Sequence, residues 1–350
     1  MFRTIMAAFF LCALGGCDRS APPADSGSGS ATPTNSRVAP TAPVSTKPAG
    51  VKKRIAVIPK GTTHDFWKSV QAGAMKAQAE LGNVEIIFRG PEKEDDREQQ
   101  IALVENFIST AVDAIVLAPL DDRALLAPVR QAMNAKIPVI IIDSALRGEV
   151  GRDFVSFVST DNEKGGRLAG QRMGETIGGK GTALLLRYQE GSASTDERER
   201  GFVDALAKFA DVKLNDPKRY SGATRATAQE ASENLLTTYE NMQGIFCPNE
   251  SSTFGMLLAL RSRGLAGKVK FVGFDASPEL IDALRKGEID ALVAQNPMKM
   301  GYLGVKAAGA ALAGEKVEPR VDTGAALVTR ESLATPEIRE ILNLPAEAKP

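Results

Sequence analysis

From residue 54 onward, short β-branched apolar runs alternate with amphipathic stretches of helical length. The apolar runs are IAVIP (55–59), VEIIF (84–88), AIVLAP (114–119), IPVIIID (137–143), DFVSFVS (153–159), TALLLRY (182–188), GIFCP (244–248), VKFVGFD (269–275) and DALVAQ (290–295). Continuous apolar strands interleaved with helices are typical of parallel sheets that are covered on both faces. The alternation therefore predicts an α/β fold.

The stretches between these runs carry helix signals. Apolar residues recur at helical spacing in 65–81, and Gly82 follows as a stop signal. The same pattern predicts helices over 98–109, 224–239, 251–263 and 278–286. These units are too many for one small sheet, and DFVSFVSTDNEKGG (153–166) falls near the middle of them. We therefore predict two doubly wound, Rossmann-like parallel-sheet domains.

The N-terminal segment has the pattern of an export signal. MFRTIMAAFFLCALGGC (1–17) contains a basic residue, a short apolar run and small residues before Cys17. The run at 5–14 is too short to span a bilayer, so a cleaved signal is favoured over a membrane helix. LGGC resembles a bacterial lipoprotein signal in which Cys17 is lipidated, and an ordinary export signal with an incidental Cys is the alternative. Residues 18–50, rich in Ser, Thr, Pro, Ala and Gly, predict a disordered tether.

Charge and cysteine content exclude several roles. The chain has 43 Lys and Arg against 43 Asp and Glu, so bulk electrostatics give no reason to expect nucleic acid or an acidic membrane as a partner. With the signal removed and Cys17 lipidated, Cys247 is the remaining thiol and no intrachain disulfide can form. We expect Cys247 to pack in a core.

Polar and aromatic side chains follow several of the predicted strands, and in open parallel sheets ligands bind beyond the carboxyl ends of the strands. The residues at these ends are Lys60, His64, Asp65, Phe66, Trp67, Asp143, Ser144, Asn249, Glu250, Asp275, Gln295 and Asn296. Carboxylates and amides bind hydroxyl groups, and aromatic faces cover the C–H surfaces of a sugar ring. The set therefore predicts a site for a polyhydroxylated ligand. Each Asp could instead cap the following helix, and Phe66 could be a core residue.

Several longer motifs resemble a known family. They are TDNEKGGRLAG (160–170), ERERGF (197–202), FCPNESS (246–252), VGFDASPE (272–279) and LVAQNPMKMGYLG (292–304). Over residues 54–328 the chain resembles the periplasmic sugar-binding proteins of ABC transporters, of the ribose-binding type related to the lac repressor core. The resemblance implies the type I periplasmic-binding-protein fold with a multi-segment hinge. It divides the body into 51–160 with 296–324 and 161–295 with 325–345.

The resemblance also implies a set of ligand contacts. The implied residues are His64, Phe66 and Trp67 after the first strand, Asp143, Arg200 in RERG as the arginine of the second domain, and Asn249, Asp275 and Gln295 at later strand ends. Lys60 and Ser144 complete the candidate site, at positions where ribose binders carry a small polar residue and an Arg. His64 replaces an Asn. These departures disfavour ribose as the ligand and leave a pentose, hexose or sugar derivative, and Lys60 would suit an acidic sugar.

The implied function is an extracytoplasmic lipoprotein, on the periplasmic or cell-surface side, that captures a monosaccharide by hinge closure and delivers it to an ABC permease. The resemblance implies a monomer without catalysis, cofactor or metal. One alternative is a sensor of a sugar or furanose signal that presents its ligand to a chemoreceptor or histidine kinase. A glycoside-acting enzyme with Asp143 and Asp275 as its carboxylates is an alternative of another class. A transcription factor is disfavoured because a signal and tether stand in place of a helix-turn-helix.

Overall fold

A computed structural model describes residues 51–342, so the predicted signal peptide, Cys17 and the predicted tether lie outside the described residues. The first sheet contains β1 (Lys53–Ile58), β2 (Val84–Phe88), β3 (Ala114–Leu117), β4 (Val139–Ile142), β5 (Ser156–Ser159) and β11 (Arg320–Asp322). Its strand order is β11-β5-β4-β3-β1-β2, and its strands are parallel.

The second sheet repeats this arrangement. It contains β6 (Lys180–Leu185), β7 (Asp211–Asn215), β8 (Gly244–Phe246), β9 (Lys270–Phe274), β10 (Ala291–Gln295) and β12 (Ala325–Val328). The order is β12-β10-β9-β8-β6-β7, and β12 runs antiparallel to β10. Strands β1, β3 and β4 therefore correspond to β6, β8 and β9, and in each sheet the strand order reverses at the first of the three.

Helices cover both faces of each sheet. They are α1 (Asp65–Leu81), α2 (Arg97–Ser109), α3 (Leu126–Asn134), α4 (Asn162–Thr176), α5 (Ala193–Leu206), α6 (Arg225–Thr238), α7 (Glu250–Ser262), α8 (Pro278–Lys286), α9 (Pro297–Leu312) and α10 (Pro336–Ile341). Helices α1 and α9 enclose one apolar core of the first sheet, and α2 and α3 enclose the other. The second sheet has one core under α4 and α5 and another under α6, α7 and α8. Among residues 51–342, no helix is both long and apolar enough to cross a membrane.

We call the first sheet with α1, α2, α3 and α9 the first lobe, and the second sheet with its helices the second lobe. The predicted α/β fold with two doubly wound sheets is confirmed. Cys247 is fully buried in a core of the second lobe, as expected.

The strands that the sequence pattern missed lie at sheet edges. β7 (DVKLN) has no fully buried residue, and β11 (RVD) has only its central Val partly buried. β12, at the other edge of the second sheet, is only partly buried except at Val328. An edge strand packs against a neighbour on one side only, so its sequence need not be continuously apolar.

The chain passes between the two sheets at three places: after β5, after β10, and between β11 and β12. The first and third crossings lie side by side, because the backbone N–H of Thr323 donates to the carbonyl of Ser159 at 2.9 Å. The hydroxyls of Thr160 and Thr323 are 3.4 Å apart. We retain 160, 295 and 324 as the proposed boundaries of the two subdomains.

Candidate functional site

A cavity of about 30 Å³ is lined by residues that follow the carboxyl ends of strands in both sheets. Eight of the ten predicted ligand residues line it: Lys60, His64, Phe66, Trp67, Asp143, Asn249, Asp275 and Gln295. This volume is far below the range for small-molecule pockets, so a sugar requires the two lobes to lie further apart than they do in this structure. Ser144 is buried close by, where its Oγ accepts a hydrogen bond from the backbone N–H of Ser194 at 3.1 Å. The tenth predicted residue, Arg200, lies elsewhere.

Two strained carboxylate residues occupy equivalent places in the two lobes. Asp143 follows β4 with a φ of 64°, and Asp275 follows β9 with a φ of 69°. This left-handed conformation costs an L-residue about 1–3 kcal/mol and persists where the surroundings fix it. Asp275 is fixed by Gln295 Nε2, which donates to its Oδ1 at 2.7 Å, and by the backbone N–H of Glu250, which donates to its Oδ2 at 2.8 Å. The strand ends therefore present two carboxylates to the cavity in set positions.

Lys60 is a buried cation that contacts both lobes. Its Nζ lies 2.9 Å from Asp143 Oδ2, and both side chains are buried. The same Nζ donates to Ser194 Oγ of the second lobe at 3.0 Å. An ionised lysine in a buried site needs a paired carboxylate, and Asp143 supplies it. The charge of Lys60 is therefore balanced before any ligand enters.

His64 and Glu94 form a second buried ion pair, with His64 Nδ1 2.6 Å from Glu94 Oε1. Burial disfavours the imidazolium, but the charge of Glu94 and the hydrogen bond to it outweigh burial and raise the pKa of His64 to about 9. Burial likewise disfavours the carboxylate, yet the charges and hydrogen bonds of His64, Lys60 and Trp67 lower the pKa of Glu94 to about 2. Both groups are ionised at neutral pH.

The aromatic pair begins α1 and does not stand free in a loop. Trp67 is 2% exposed and packs in the core beneath α1 and α9, while its edge lines the cavity. Its Nε1 donates to Glu94 Oε1 at 2.6 Å. The Phe66 ring meets it edge-on, with centroids 4.9 Å apart and an interplanar angle of 88°. Phe66 is partly buried against the same core and lines the cavity as well.

The second lobe supplies an acceptor-rich wall. Burial raises the pKa of Asp275 to about 6, although Arg198 and the hydrogen bond from Gln295 oppose the shift. Gln295 Oε1 is buried without a hydrogen-bond partner, so it is an acceptor that a ligand hydroxyl could satisfy. The Asn249 side chain caps α7, where its Oδ1 accepts from the backbone N–H of Ser252 at 3.2 Å. The capping role and the cavity position thus coexist at Asn249.

Arg200 does not reach the cavity. Its side chain is 60% exposed and its Nη2 lies 4.0 Å from Glu163 Oε2. Arg198, two residues earlier on α5, lines the cavity and is 2% exposed. Its Nε donates to Asn162 Oδ1 at 2.9 Å, and its Nη1 donates to the carbonyl of Pro248 at 3.0 Å. The prediction of Arg200 as the arginine of the second domain is therefore corrected to Arg198.

Sequence reasoning missed five residues that line the cavity: Glu94, Tyr188, Ser194, Thr195 and Arg198. Glu94 lies beyond the carboxyl end of β2, and Tyr188, Ser194 and Thr195 lie beyond that of β6. The strand-end rule applied to these two strands would have found the segments. Glu250, one of the strand-end residues, also lines the cavity, although the predicted ligand contacts do not include it.

Comparison with known proteins agrees with this geometry. Residues 55–316 match the family described as periplasmic binding protein domain. The ribose import binding protein RbsB of Salmonella typhimurium is 31% identical over 299 residues, which cover 85% of this chain and 97% of that protein. An ABC transporter solute-binding protein of Agrobacterium vitis, solved with bound D-fucose, has a TM-score of 0.79 and 36% identity, covering 82% of this chain and 98% of that one. A carbohydrate transporter solute-binding protein of Agrobacterium radiobacter, in complex with D-arabinose, has a TM-score of 0.79 and 34% identity over 83% of this chain and 99% of that one.

These matches confirm the predicted resemblance over most of the chain. They also confirm that the protein is not an enzyme, because members of the family are solute-binding proteins. Asp143 and Asp275 accordingly need no catalytic role. The chain belongs to the periplasmic binding protein family, and within it to the type I sugar-binding proteins of ABC transporters.

Proposed function

We propose that this protein captures an uncharged monosaccharide between its two lobes, outside the cytoplasm, and delivers it to an ABC permease. The observation that carries the proposal is the cavity itself, where buried acceptors and donors from both lobes converge beside an aromatic edge. Hydroxyl groups match such a mixture because each can donate and accept a hydrogen bond. Relatives solved with D-fucose and D-arabinose support this ligand class.

The charge balance of the site supports an uncharged ligand. Each cation that lines the cavity has a carboxylate nearby: Lys60 pairs with Asp143, His64 pairs with Glu94, and Arg198 interacts electrostatically with Asp275. The fourth carboxylate of the lining, Glu250, pairs with Arg225, which lies outside the lining. A ligand carboxylate would bring an uncompensated negative charge into this buried space, which is unfavourable. The sequence-based expectation that Lys60 suits an acidic sugar is therefore disfavoured, because Asp143 already pairs with Lys60.

Capture requires the lobes to close on the ligand. The cavity takes its lining from both lobes and is small, so a sugar can enter only when they separate. Closure then places the ligand against the aromatic edge of the first lobe and Arg198 of the second. The permease can recognise the closed form specifically, because the surface of the closed form differs from that of the open form.

We further propose that Cys17 carries a lipid that holds the protein at a bacterial membrane. The support is the sequence LGGC (14–17) and the composition of the segment after it. In a bacterial host that expresses the full chain, Cys17→Ser should move the protein from the membrane fraction to the soluble fraction. Membrane association that survives Cys17→Ser would contradict the lipid anchor.

The test of ligand class uses three sugars that differ only at C6: D-fucose, D-galactose and D-galacturonate. D-Arabinose, D-allose and D-ribose extend the panel to other relatives' ligands. Trp67 is the only tryptophan in the chain, so its emission reports binding, and calorimetry gives the Kd. We expect at least one neutral sugar to bind, and D-galacturonate to bind at least about 10-fold more weakly than D-galactose. A preference for D-galacturonate would overturn the proposal of an uncharged ligand. Absence of binding to every carbohydrate in the panel would overturn the proposal that the ligand is a sugar.

A further inference from the structure

One carboxylate of the first lobe connects the ligand wall to the second lobe. Glu94 lies in the loop between β2 and α2 and is buried. Its Oε1 accepts a hydrogen bond from Trp67 Nε1 at 2.6 Å and lies 2.6 Å from His64 Nδ1. Its Oε2 accepts a hydrogen bond from the hydroxyl of Tyr188, in the second lobe, at 2.8 Å. The two oxygens of a single side chain therefore contact different lobes.

Tyr188 begins a segment that docks on the first lobe along its length. We call residues 188–194 the interlobe clasp. Besides the tyrosine hydroxyl, it makes four hydrogen bonds across the lobes: Gln189 Nε2 to the Glu94 carbonyl at 2.9 Å, the Asp122 N–H to the Gly191 carbonyl at 3.0 Å, the Ser194 N–H to Ser144 Oγ at 3.1 Å, and Lys60 Nζ to Ser194 Oγ at 3.0 Å. The clasp thus receives partners from the loops after β1, β2, β3 and β4. The clasp is therefore a part of the second lobe whose hydrogen bonds depend on contact with the first lobe.

The clasp fits closely against the first lobe at Gly191. This residue has a φ of 85°, and a Cβ placed there would lie 2.6 Å from Asp121 Oδ2. Both the backbone conformation and the close approach favour glycine. A larger residue would therefore hold the clasp away from the first lobe.

In the closed arrangement, the carboxylate of Glu94 uses the donors of His64, Trp67 and Tyr188. Its charge is retained at neutral pH by His64, and a buried carboxylate that loses a donor loses much of the energy that compensates its desolvation. When the lobes separate, Tyr188 leaves Oε2, while His64 and Trp67 stay with Oε1 in the same lobe. Closure is thus the step that completes the hydrogen bonding of this carboxylate.

We propose that Glu94 is a positioning residue for sugar capture: it orients His64 and Trp67 in the ligand wall and, through Tyr188 and the interlobe clasp, stabilises the closed form in which that wall meets the ligand. The inference rests on the proposed function, since it assumes that ligand is held by closure. It assigns to Glu94 a role that does not require contact with the ligand. The role should appear in how long the ligand is retained.

The test compares Tyr188→Phe and Glu94→Gln with Glu92→Gln, an exposed glutamate of the same loop that receives the same chemical change. Stopped-flow Trp67 fluorescence with D-fucose, D-arabinose and D-allose gives on-rates and off-rates. We expect Tyr188→Phe to raise the off-rate about 10- to 100-fold, as for the loss of a hydrogen bond to a charged group, with the on-rate within about 2-fold. Glu92→Gln should leave both rates unchanged. Because Tyr188→Phe removes one oxygen and leaves the ring, it stays informative even if Glu94→Gln does not fold.

Small-angle X-ray scattering separates this proposal from the proposed function. With saturating sugar, Tyr188→Phe should have a larger radius of gyration than the wild type, because its closed form is less populated; a residue that only supports folding would not produce this change. An unchanged off-rate in Tyr188→Phe would overturn the role of Glu94 while leaving sugar binding intact. If the wild type bound none of the sugars, the proposed function would fail, but radii of gyration measured without ligand would still test the interlobe clasp. We expect a larger radius for Gly191→Val and Tyr188→Phe than for the wild type. Radii equal to that of the wild type would overturn the role of Glu94.

Discussion

Arg198 and Arg200 are two residues apart on one helix, yet their side chains lie in different environments. Both lie on α5, where each residue is rotated by about 100° from the one before, so they point to nearly opposite faces. Arg198 faces the cavity, with its guanidinium 4.0 Å from the centroid of the Phe274 ring, and Arg200 faces solvent. The sequence ERERG (197–201) contains both arginines in the same local context. Only the rotation of the helix against its sheet distinguishes them.

This pair provides a matched mutational test. Arg198→Lys keeps the charge but loses the planar donor set and its stacking on Phe274, so we expect the Kd for the best-binding neutral sugar to rise about 10- to 100-fold. Arg200→Lys should change the Kd by less than about 2-fold, because the side chain is exposed. Calorimetric titration of the two variants measures the difference. Equal losses in both would contradict the placement of Arg198 at the site.

His64 yields a prediction about pH. It is the only histidine in the chain, so nuclear magnetic resonance of a protein without a histidine tag gives one imidazole titration. We expect its midpoint near pH 9, because Glu94 stabilises the imidazolium against the effect of burial. The folded-state pKa is raised, so the stability contributed by His64 is fully present below about pH 6.5 and is lost as pH rises through about 9.

The control for His64 is Glu94→Gln, which removes the charge that raises the pKa. Burial, which lowers the pKa of His64, is then no longer opposed by the charge of Glu94, and the midpoint of the titration should fall to 6.5 or below. A wild-type midpoint near the ordinary histidine value would show that the ion pair with Glu94 does not form in solution.

At the scale of elements, the sequence pattern predicted buried strands and amphipathic helices well. Helix α1 has the predicted bounds, and the nine apolar runs each overlap a strand. Five helices carried no prediction in the sequence analysis: α3, α4, α5, α9 and α10. Helix α4 contains glycines at 165, 166, 170 and 174, which weaken any propensity signal, and those at 166 and 170 allow close packing on α5. Tertiary packing, not local propensity, stabilises such a helix.

Close helix packing in the first lobe yields a prediction at this scale. A Cβ on Gly73 of α1 would lie 1.9 Å from the carbonyl oxygen of Met298 at the start of α9, so Gly73→Ala must push the helices apart. We expect the free energy of unfolding to fall by about 1–3 kcal/mol. Gly309→Ala on α9 is the control, because its Cβ meets only the end of the Leu81 side chain at 3.0 Å. Its effect should stay within about 1 kcal/mol, since alanine favours the helix. Urea denaturation measures both, and equal stability of the two variants would contradict this contact.

At the scale of the whole molecule, the site depends on two lobes that the chain connects three times. A ligand held by both lobes stabilises them together. A neutral sugar at about 100 times its Kd should raise the free energy of unfolding by about 2.7 kcal/mol. Scanning calorimetry should show this gain in the unfolding of both lobes. A sugar that stabilised only one of two separate transitions would place the binding site within a single lobe.

The sequence by itself determined the fold class, the family and most of the candidate site. It could do so because buried parallel strands must be apolar, and because ligand-facing side chains follow their carboxyl ends in the chain. Only the tertiary structure decided which arginine faces the cavity, that Lys60 and His64 are neutralised by Asp143 and Glu94, and that Tyr188 reaches Glu94 from the other lobe. Glu94 and Tyr188 are 94 residues apart in the chain. Their contact, like the charge balance of the cavity, arises from how two sheets face each other, and no local pattern of residues encodes that distance.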